Sequence, residues 1–300
     1  MQNKWSSLYL FIGQADHADE LASFASEVMG SYPGQANDWF FIRYAEGGVH
    51  VRLRVGPGSL ANFPEVKERM ADRCRELALE SEISEWVRQF GAPDLSGTVR
   101  EPGESVEVAY EPEIIRYGGP EAITYNEELF CISSAIAVKV IAATRERDDA
   151  RAQIAADLMM AAVATMADFV DARVYFREYS TNWRAAWPWT PQSAIRPVHD
   201  KGALEGHYNG HVEALRSRKP PKSVPRLWGA KLSEAREQFH DLYQRGKLIS
   251  PRDGKLVERN SDFEVALRSM VSSQMHMLNN RLGLWPDSEV VIAEQLSRRI

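Results

Sequence analysis

The sequence predicts an α+β fold, a small antiparallel sheet packed by several long helices. Three observations carry that expectation. Trp39 to Val55, WFFIRYAEGGVHVRLRV, is two aromatic and β-branched runs around an Ala-Glu-Gly-Gly turn, which reads as a β-hairpin. Ahead of about residue 111 the elements run β, α, ββ, α, β. After Pro120 the apolar spacing is almost entirely helical.

Trp5 to Phe11 (WSSLYLF) reads as the first strand. Asp16 is placed to cap a helix to about Met29, with Leu21, Phe24, Ala25 and Val28 as its stripe. Gly30 and Pro33 stop it. The hairpin at 39–55 follows, and Gly56-Pro57-Gly58 breaks its second strand. Pro64 starts a helix to about Leu79. A shorter helical piece covers Ile83 to Phe90, and Gly91 and Pro93 close it. Val99 to Tyr110 reads as extended chain, and Glu111 to Gly119 (EPEIIRYGG) as a turn-rich junction.

Two long helices are expected, from Pro120 to about Ala143 and from Ala150 to about Asp171. The methionines of the second are read as core filling. Residues 180–226 form an irregular, Trp/Pro-rich insertion in this reading, with Gly206 and Gly210 arguing against a rigid helix. Further helices follow at about Leu232 to Gln244, Phe263 to Leu284 and Glu289 to Arg298, with a turn at Asp253-Gly254.

Composition narrows the function. At 300 residues, 44% hydrophobic and 26% charged, the chain can bury a sizeable core. Its net charge of −6 offers no general attraction to nucleic acid or anionic membrane, so an anion site has to be local. No signal-peptide pattern and no run of about 18 apolar residues is present, so a cytoplasmic protein is expected. The two cysteines, Cys74 and Cys131, lack metal-type spacing. The His207/His211 pair lacks further ligands at a recognised spacing, so no metal is expected. The usual nucleotide, hydrolase and zinc motifs are missing, so no cofactor is called for.

Three segments combine cations with tight turns. On the second hairpin strand His50, Arg52 and Arg54 alternate with Val51, Leu53 and Val55, so the basic residues share one face about 7 Å apart. That face carries no acid. In YEPEIIRYGGPE, Arg116 precedes Gly118-Gly119-Pro120 at the mouth of a long helix; surface pairing with Glu111 or Glu113 is its alternative. In SSQMHMLNNR, His276 and Asn280 lie at i and i+4 of one helix. Together they describe an anion pocket of arginines with one histidine available for proton transfer.

In this order the motifs WFFIRY…HVRLRV, YEPEIIRYGGPEA…EELF and HMLNNRLG resemble the C-terminal, glutamate-elimination domain of lantibiotic dehydratases and its stand-alone relatives in thiopeptide biosynthesis. The resemblance runs from Trp5 to the last helix, so a single domain over 1–300 is expected. It implies one of two chemistries. In the first, glutamate is eliminated from glutamylated Ser or Thr of a precursor peptide, giving dehydroalanine or dehydrobutyrine. In the second, two dehydroalanines undergo a formal [4+2] cycloaddition to a pyridine, with loss of the leader peptide. A non-catalytic, precursor-binding partner is the third alternative.

By the resemblance, Arg52, Arg54 and Arg116 stand at the glutamate-contacting positions and His276 at the catalytic histidine. Tyr117 and Asn280 join the arginines in substrate binding, and the four principal residues are expected around one cavity. The arginine set favours elimination, because a leaving glutamate carries carboxylates and a cycloaddition needs no carboxylate clamp. The Ala-Glu-Gly-Gly turn and the Ser133-Ser134 pair depart from the dehydratase pattern of an Asp-Pro turn and an Asp-Ser pair. The implied partners are a precursor peptide of leader plus core and a separate glutamyl-tRNA-dependent dehydratase subunit. Direct nucleic-acid and membrane contacts are not expected, and a homodimer is compatible with the sequence. His50 and the Trp-rich segment 183–189 receive no role.

Overall fold

A computed structural model describes residues 5–35, 37–80, 82–90, 98–145, 147–186 and 203–300. It has the expected α+β fold, with one four-stranded antiparallel sheet and otherwise helices. Contacts divide the chain into two compact units. One holds residues up to Glu111 together with Cys131–Ala142; the other holds Pro112–Phe130 and Ala143–Ile300.

In the first unit the strands are β1 (Ser6–Phe11), β2 (Trp39–Tyr44), β3 (His50–Val55) and β4 (Ser105–Glu107), in the order β2-β3-β1-β4. Only three residues of the extended stretch 99–110 pair as β4. Register follows the alternation of side chains. Leu8 lies opposite Leu53, and Leu53 opposite Phe41; Tyr9 lies opposite Arg52, and Arg52 opposite Ile42. Directly opposed residues share a face. One face therefore presents Leu8, Leu10, Phe41, Val51, Leu53 and Val55, all buried, and helices α1 (His17–Gly30) and α2 (Phe63–Glu80) pack on this unit's strands. The opposite face carries Tyr9, Phe11, Phe40, His50, Arg52 and Arg54. Asp16 stands at the start of α1 without a side-chain capping bond. A short helix α3 (Glu85–Phe90) follows α2; the Gly91 and Pro93 stop lies outside the described residues.

Helix α4 (Ile123–Ala143) contributes residues to both units. In the second unit, α5 (Asp148–Ala164) is buried along most of its length and packs against α6 (Ala172–Ala186), α7 (Ala203–Arg216), α8 (Val224–Gln244), α9 (Asn260–Arg281) and α10 (Pro286–Arg299). Met159 and Met160 are fully buried there as filling. A Cβ on Gly229 of α8 would sit 3.2 Å from the Ala161 carbonyl oxygen, so the missing side chain allows this close approach. No described helix is long and apolar enough to cross a membrane.

Part of the segment 180–226 is helical. Residues 180–186 complete α6, Ala203–Arg216 form α7, and α8 begins at Val224. Gly206 and Gly210 do not break α7, because Leu204, Tyr208 and His211 bury one stripe of it. Tertiary packing there outweighs the roughly 1 kcal/mol per glycine of lost helix propensity. Trp187, Pro188, Trp189, Pro191 and Pro197 lie outside the described residues.

The Tyr-Gly-Gly junction is stiffer than a surface turn. Gly118 has φ +89°, and a Cβ there would meet Met270 Sδ at 2.8 Å and Ala122 Cβ at 3.0 Å. Asn126 of α4 donates to the Tyr117 and Ala122 carbonyls at 3.0 and 2.8 Å and accepts from Gln274 of α9 at 2.8 Å. The junction is thus tied to α9 through a buried amide pair. Gly118→Ala is predicted to lower stability by about 2–4 kcal/mol, from left-handed backbone strain plus overpacking, read as a reduced thermal midpoint.

Candidate functional site

The sequence-predicted residues fall in both units: Arg52 and Arg54 in the first, Arg116, Tyr117, His276 and Asn280 in the second. Each group is built by its own local structure.

On the first unit the basic face of β3 is buried. His50 is 1% and Arg54 6% exposed, and Arg52 is half-buried. His50 Nδ1 is 2.6 Å from the Gly48 carbonyl oxygen, so that nitrogen carries the proton. His50 Nε2 is 2.9 Å from Arg52 Nε, which can only donate, so it offers a lone pair. Both contacts demand the same neutral tautomer. Burial pushes the imidazole down to about 3; the Gly48 bond opposes this, and Arg52 and Arg54 add to it. His50, without a role in the sequence reading, therefore anchors the Arg52 guanidinium.

Arg52 Cζ also lies 3.4 Å from the Tyr44 ring centroid and 4.6 Å from that of Tyr9. These contacts leave its terminal nitrogens to reach a ligand. Arg54 is a different case. Its Cζ lies 5.4 and 5.6 Å from the Tyr9 and Tyr110 rings, and its Nε and Nη1 are buried without a hydrogen-bond partner. No described carboxylate lies within ion-pair distance of Arg54. Burial pushes its guanidinium down to about 10, with the Tyr9 phenol opposing, so it is still cationic at neutral pH. A buried cation with unused fork-shaped donors has the chemistry to bind an oxyanion.

On the second unit α9 organises the chemistry. Arg116 Nε donates to Ser273 Oγ at 3.2 Å, and its Nη1 pairs with Glu113 at 3.3 Å. The surface pairing weighed from sequence thus exists, but it occupies one side of the guanidinium, and the other reaches α9. His276 follows Ser273 by three residues, so Arg116 and His276 are served by one helix face about one turn apart. Asn280 is one turn further. Tyr117 is instead a core residue, 3% exposed and edge-on to Phe130 at 4.9 Å; burial pushes its phenol up to about 12.

His276 has partners that the sequence did not reveal. Its Nδ1 is 2.9 Å from Oε1 of Glu289, which is fully buried. Tyr179 of α6 donates to Glu289 Oε2 at 2.6 Å. The Trp183 ring lies 4.3 Å from the imidazole, giving the first residue of the Trp-rich segment a place. Next to these residues, a cavity of about 370 Å³ is lined by Tyr175, Tyr179, Trp183, Arg268, Ser269 and Ser272 among others. The His207/His211 pair shares Asp157, at 3.6 and 2.8 Å, and no metal-holding cluster is found among the described residues.

Residues 5–300 match the family described as lantibiotic biosynthesis dehydratase C-term. Subtilin biosynthesis protein SpaB of Bacillus subtilis is 28% identical over 134 residues, 44% of this chain and 10% of that protein. The match therefore spans a small part of that relative's length. Among solved structures, TsrL gives a TM-score of 0.66 at 14% identity, covering 99% of this chain and 94% of TsrL. TbtD, the pyridine synthase from thiomuracin biosynthesis, gives 0.61 at 14% identity, covering 99% and 97%. MibB, a tRNA-dependent lantibiotic dehydratase from Microbispora sp. 107891, gives 0.50 at 18% identity, covering 99% of this chain and 28% of MibB. At these identities the structural likeness is one of fold.

The two β3 arginines are predicted to respond oppositely to truncation. Arg54→Met removes an uncompensated buried charge and should raise stability by about 1–3 kcal/mol, while Arg52→Met loses its His50 bond and ring contacts and should lower it. Thermal unfolding checks both; destabilisation by Arg54→Met would contradict the reading of Arg54 as unpaired. His50 supplies a pH signature. Its folded value lies below the ordinary 6.5, so between about pH 6.5 and 3 the unfolded chain binds the extra proton. Stability should fall as pH drops through that window, and less steeply in His50→Phe.

Proposed function

Because the chain belongs to the lantibiotic biosynthesis dehydratase C-terminal family, we propose that it is a peptide-maturation enzyme that eliminates glutamate from glutamylated Ser or Thr. The product is dehydroalanine or dehydrobutyrine in a ribosomally made precursor peptide. The observation that carries this reading is Arg54, buried and cationic with no acid among the described residues within ion-pair distance. Elimination releases a carboxylate from a group that bears a second one, and such a ligand supplies the missing charge. A cycloaddition between neutral alkenes leaves it uncompensated.

The residues divide the work. His276 Nε2 takes the α-proton of the esterified residue. The C–H electron pair forms the new double bond, and the C–O pair leaves on the glutamate carboxylate. Arg52, Arg54 and Arg116 hold the glutamyl carboxylates. Glu113 already occupies Arg116 as a carboxylate does, and being exposed it can be displaced. The substrate ester comes from a separate glutamyl-tRNA-dependent dehydratase component, and the precursor's leader peptide supplies recognition. No cofactor takes part in these steps.

A pyridine-forming [4+2] cyclisation is the second reading. The aromatic wall of Tyr175, Tyr179 and Trp183 favours it, since flat unsaturated groups stack on such rings. One experiment separates the two. The purified protein is given a glutamylated precursor and, separately, a dehydroalanine-containing one, and masses are followed. Loss of glutamate from the first is expected; leader loss with ring formation from the second would establish cyclisation instead. With the first substrate, His276→Ala should cost about 10²–10⁴-fold in kcat and Arg116→Lys roughly 1.5–3 kcal/mol in kcat/KM.

A further inference from the structure

We propose that Glu289, braced by Tyr179, is the positioning residue that fixes His276 as the Nδ1–H tautomer and leaves Nε2 as the reactive base. The inference rests on the proton-transfer role proposed above for His276.

Glu289 sits in the first turn of α10, where the helix dipole favours a carboxylate. It is 0% exposed, so its charge has to be met inside the protein. Both oxygens have a partner: Oε1 is met by His276 Nδ1 at 2.9 Å and Oε2 by the Tyr179 hydroxyl at 2.6 Å. No Lys or Arg among the described residues lies within ion-pair distance. An ionised carboxylate only accepts, so Nδ1 carries the hydrogen, and in the neutral ring this leaves the lone pair on Nε2. The Trp183 ring, 4.3 Å from the imidazole, covers the ring and hinders its rotation.

The same arrangement assists the reaction. When Nε2 bonds the α-proton, the new imidazolium stands beside the buried Glu289 carboxylate. The carboxylate stabilises that cation, and the imidazolium afterwards gives its proton to water. Glu289 does not touch the substrate; it acts through His276, following the logic of a carboxylate that orients a catalytic imidazole. Tyr179 holds the second oxygen and prevents the carboxylate from rotating away. Tyr179 and Trp183 also line the adjacent cavity, so the brace forms part of the wall beside the base.

The test reads the tautomer directly. Protein labelled with ¹⁵N at histidine is examined by NMR, and His276→Gln assigns the His276 ring signals among seven histidines. The wild type should show Nδ1–H with an unprotonated Nε2. Glu289→Gln offers an amide donor to Nδ1 and should switch the ring mainly to Nε2–H. On the glutamylated precursor the same variant should lose at least about 10²-fold in kcat with little change in KM. Tyr179→Phe keeps the Glu289–His276 bond, and should stay folded with the wild-type tautomer and a smaller loss.

A wild-type ring found as Nε2–H overturns the proposal, as does a folded Glu289→Gln protein with unchanged ring signals. If Glu289→Gln does not fold, the wild-type and Tyr179→Phe spectra still decide. If the wild type turns over neither peptide, the enzymatic reading fails while the tautomer assignment is judged independently.

Discussion

A guanidinium buried without an acid is costly, and the outer face of β3 is built around that cost. Arg54 is 94% withdrawn from solvent, with two of its nitrogens unmatched. The alternation of β3 makes this unavoidable: Val51, Leu53 and Val55 must face the helices, so His50, Arg52 and Arg54 must face the other way. The protein manages the charges differently along the strand. Arg52 is held by neutral His50 and two tyrosine rings, and Arg54 keeps donors in reserve. Selection for stability alone would place an aliphatic residue at 54. The proposed anion-binding role accounts for such a standing penalty at one buried position.

In the second unit the residues of the proposed proton chemistry are set on helices. α9 carries Ser273, His276 and Asn280 on one face, and the Asn126–Gln274 amide pair fixes that helix to the junction bearing Arg116. α10 brings Glu289 under the imidazole, and α6 brings Tyr179 and Trp183. Each helix is placed by its contact with others: α6 and α10 pack chiefly on each other, and α7, α8 and α9 pack on α5, whose alanines and methionines allow close approach. The proposed chemistry is thus supported on helices, as positioning within fractions of an ångström requires.

Much of this was legible in the residues. The hairpin, the helices after Pro120 and the shared face of His50, Arg52 and Arg54 follow from local period and turn chemistry. So does the one-helix placement of His276 and Asn280. What stayed hidden depends on long-range pairing. The partnership of Tyr9 with Arg52 needs the β1–β3 register, and that of Glu289 with His276 needs the angle at which α10 returns onto α9. A signal existed for Glu289, an acid at the head of the apolar stripe Val290, Ile292, Ala293 and Leu296, where burial demands a partner. Arg116's tie to Ser273 spans 157 residues and left no local trace. Helix α7 was missed because propensity penalises Gly206 and Gly210, while burial of Leu204, Tyr208 and His211 decides the outcome.

The central claim is that the β3 arginines are a carboxylate receptor. Isothermal titration of L-glutamate into the wild-type protein and into Arg54→Met tests it most directly. Binding by the wild type that weakens steeply with added salt and disappears in Arg54→Met is the predicted result. Equal binding by both proteins, or none by the wild type, would contradict it.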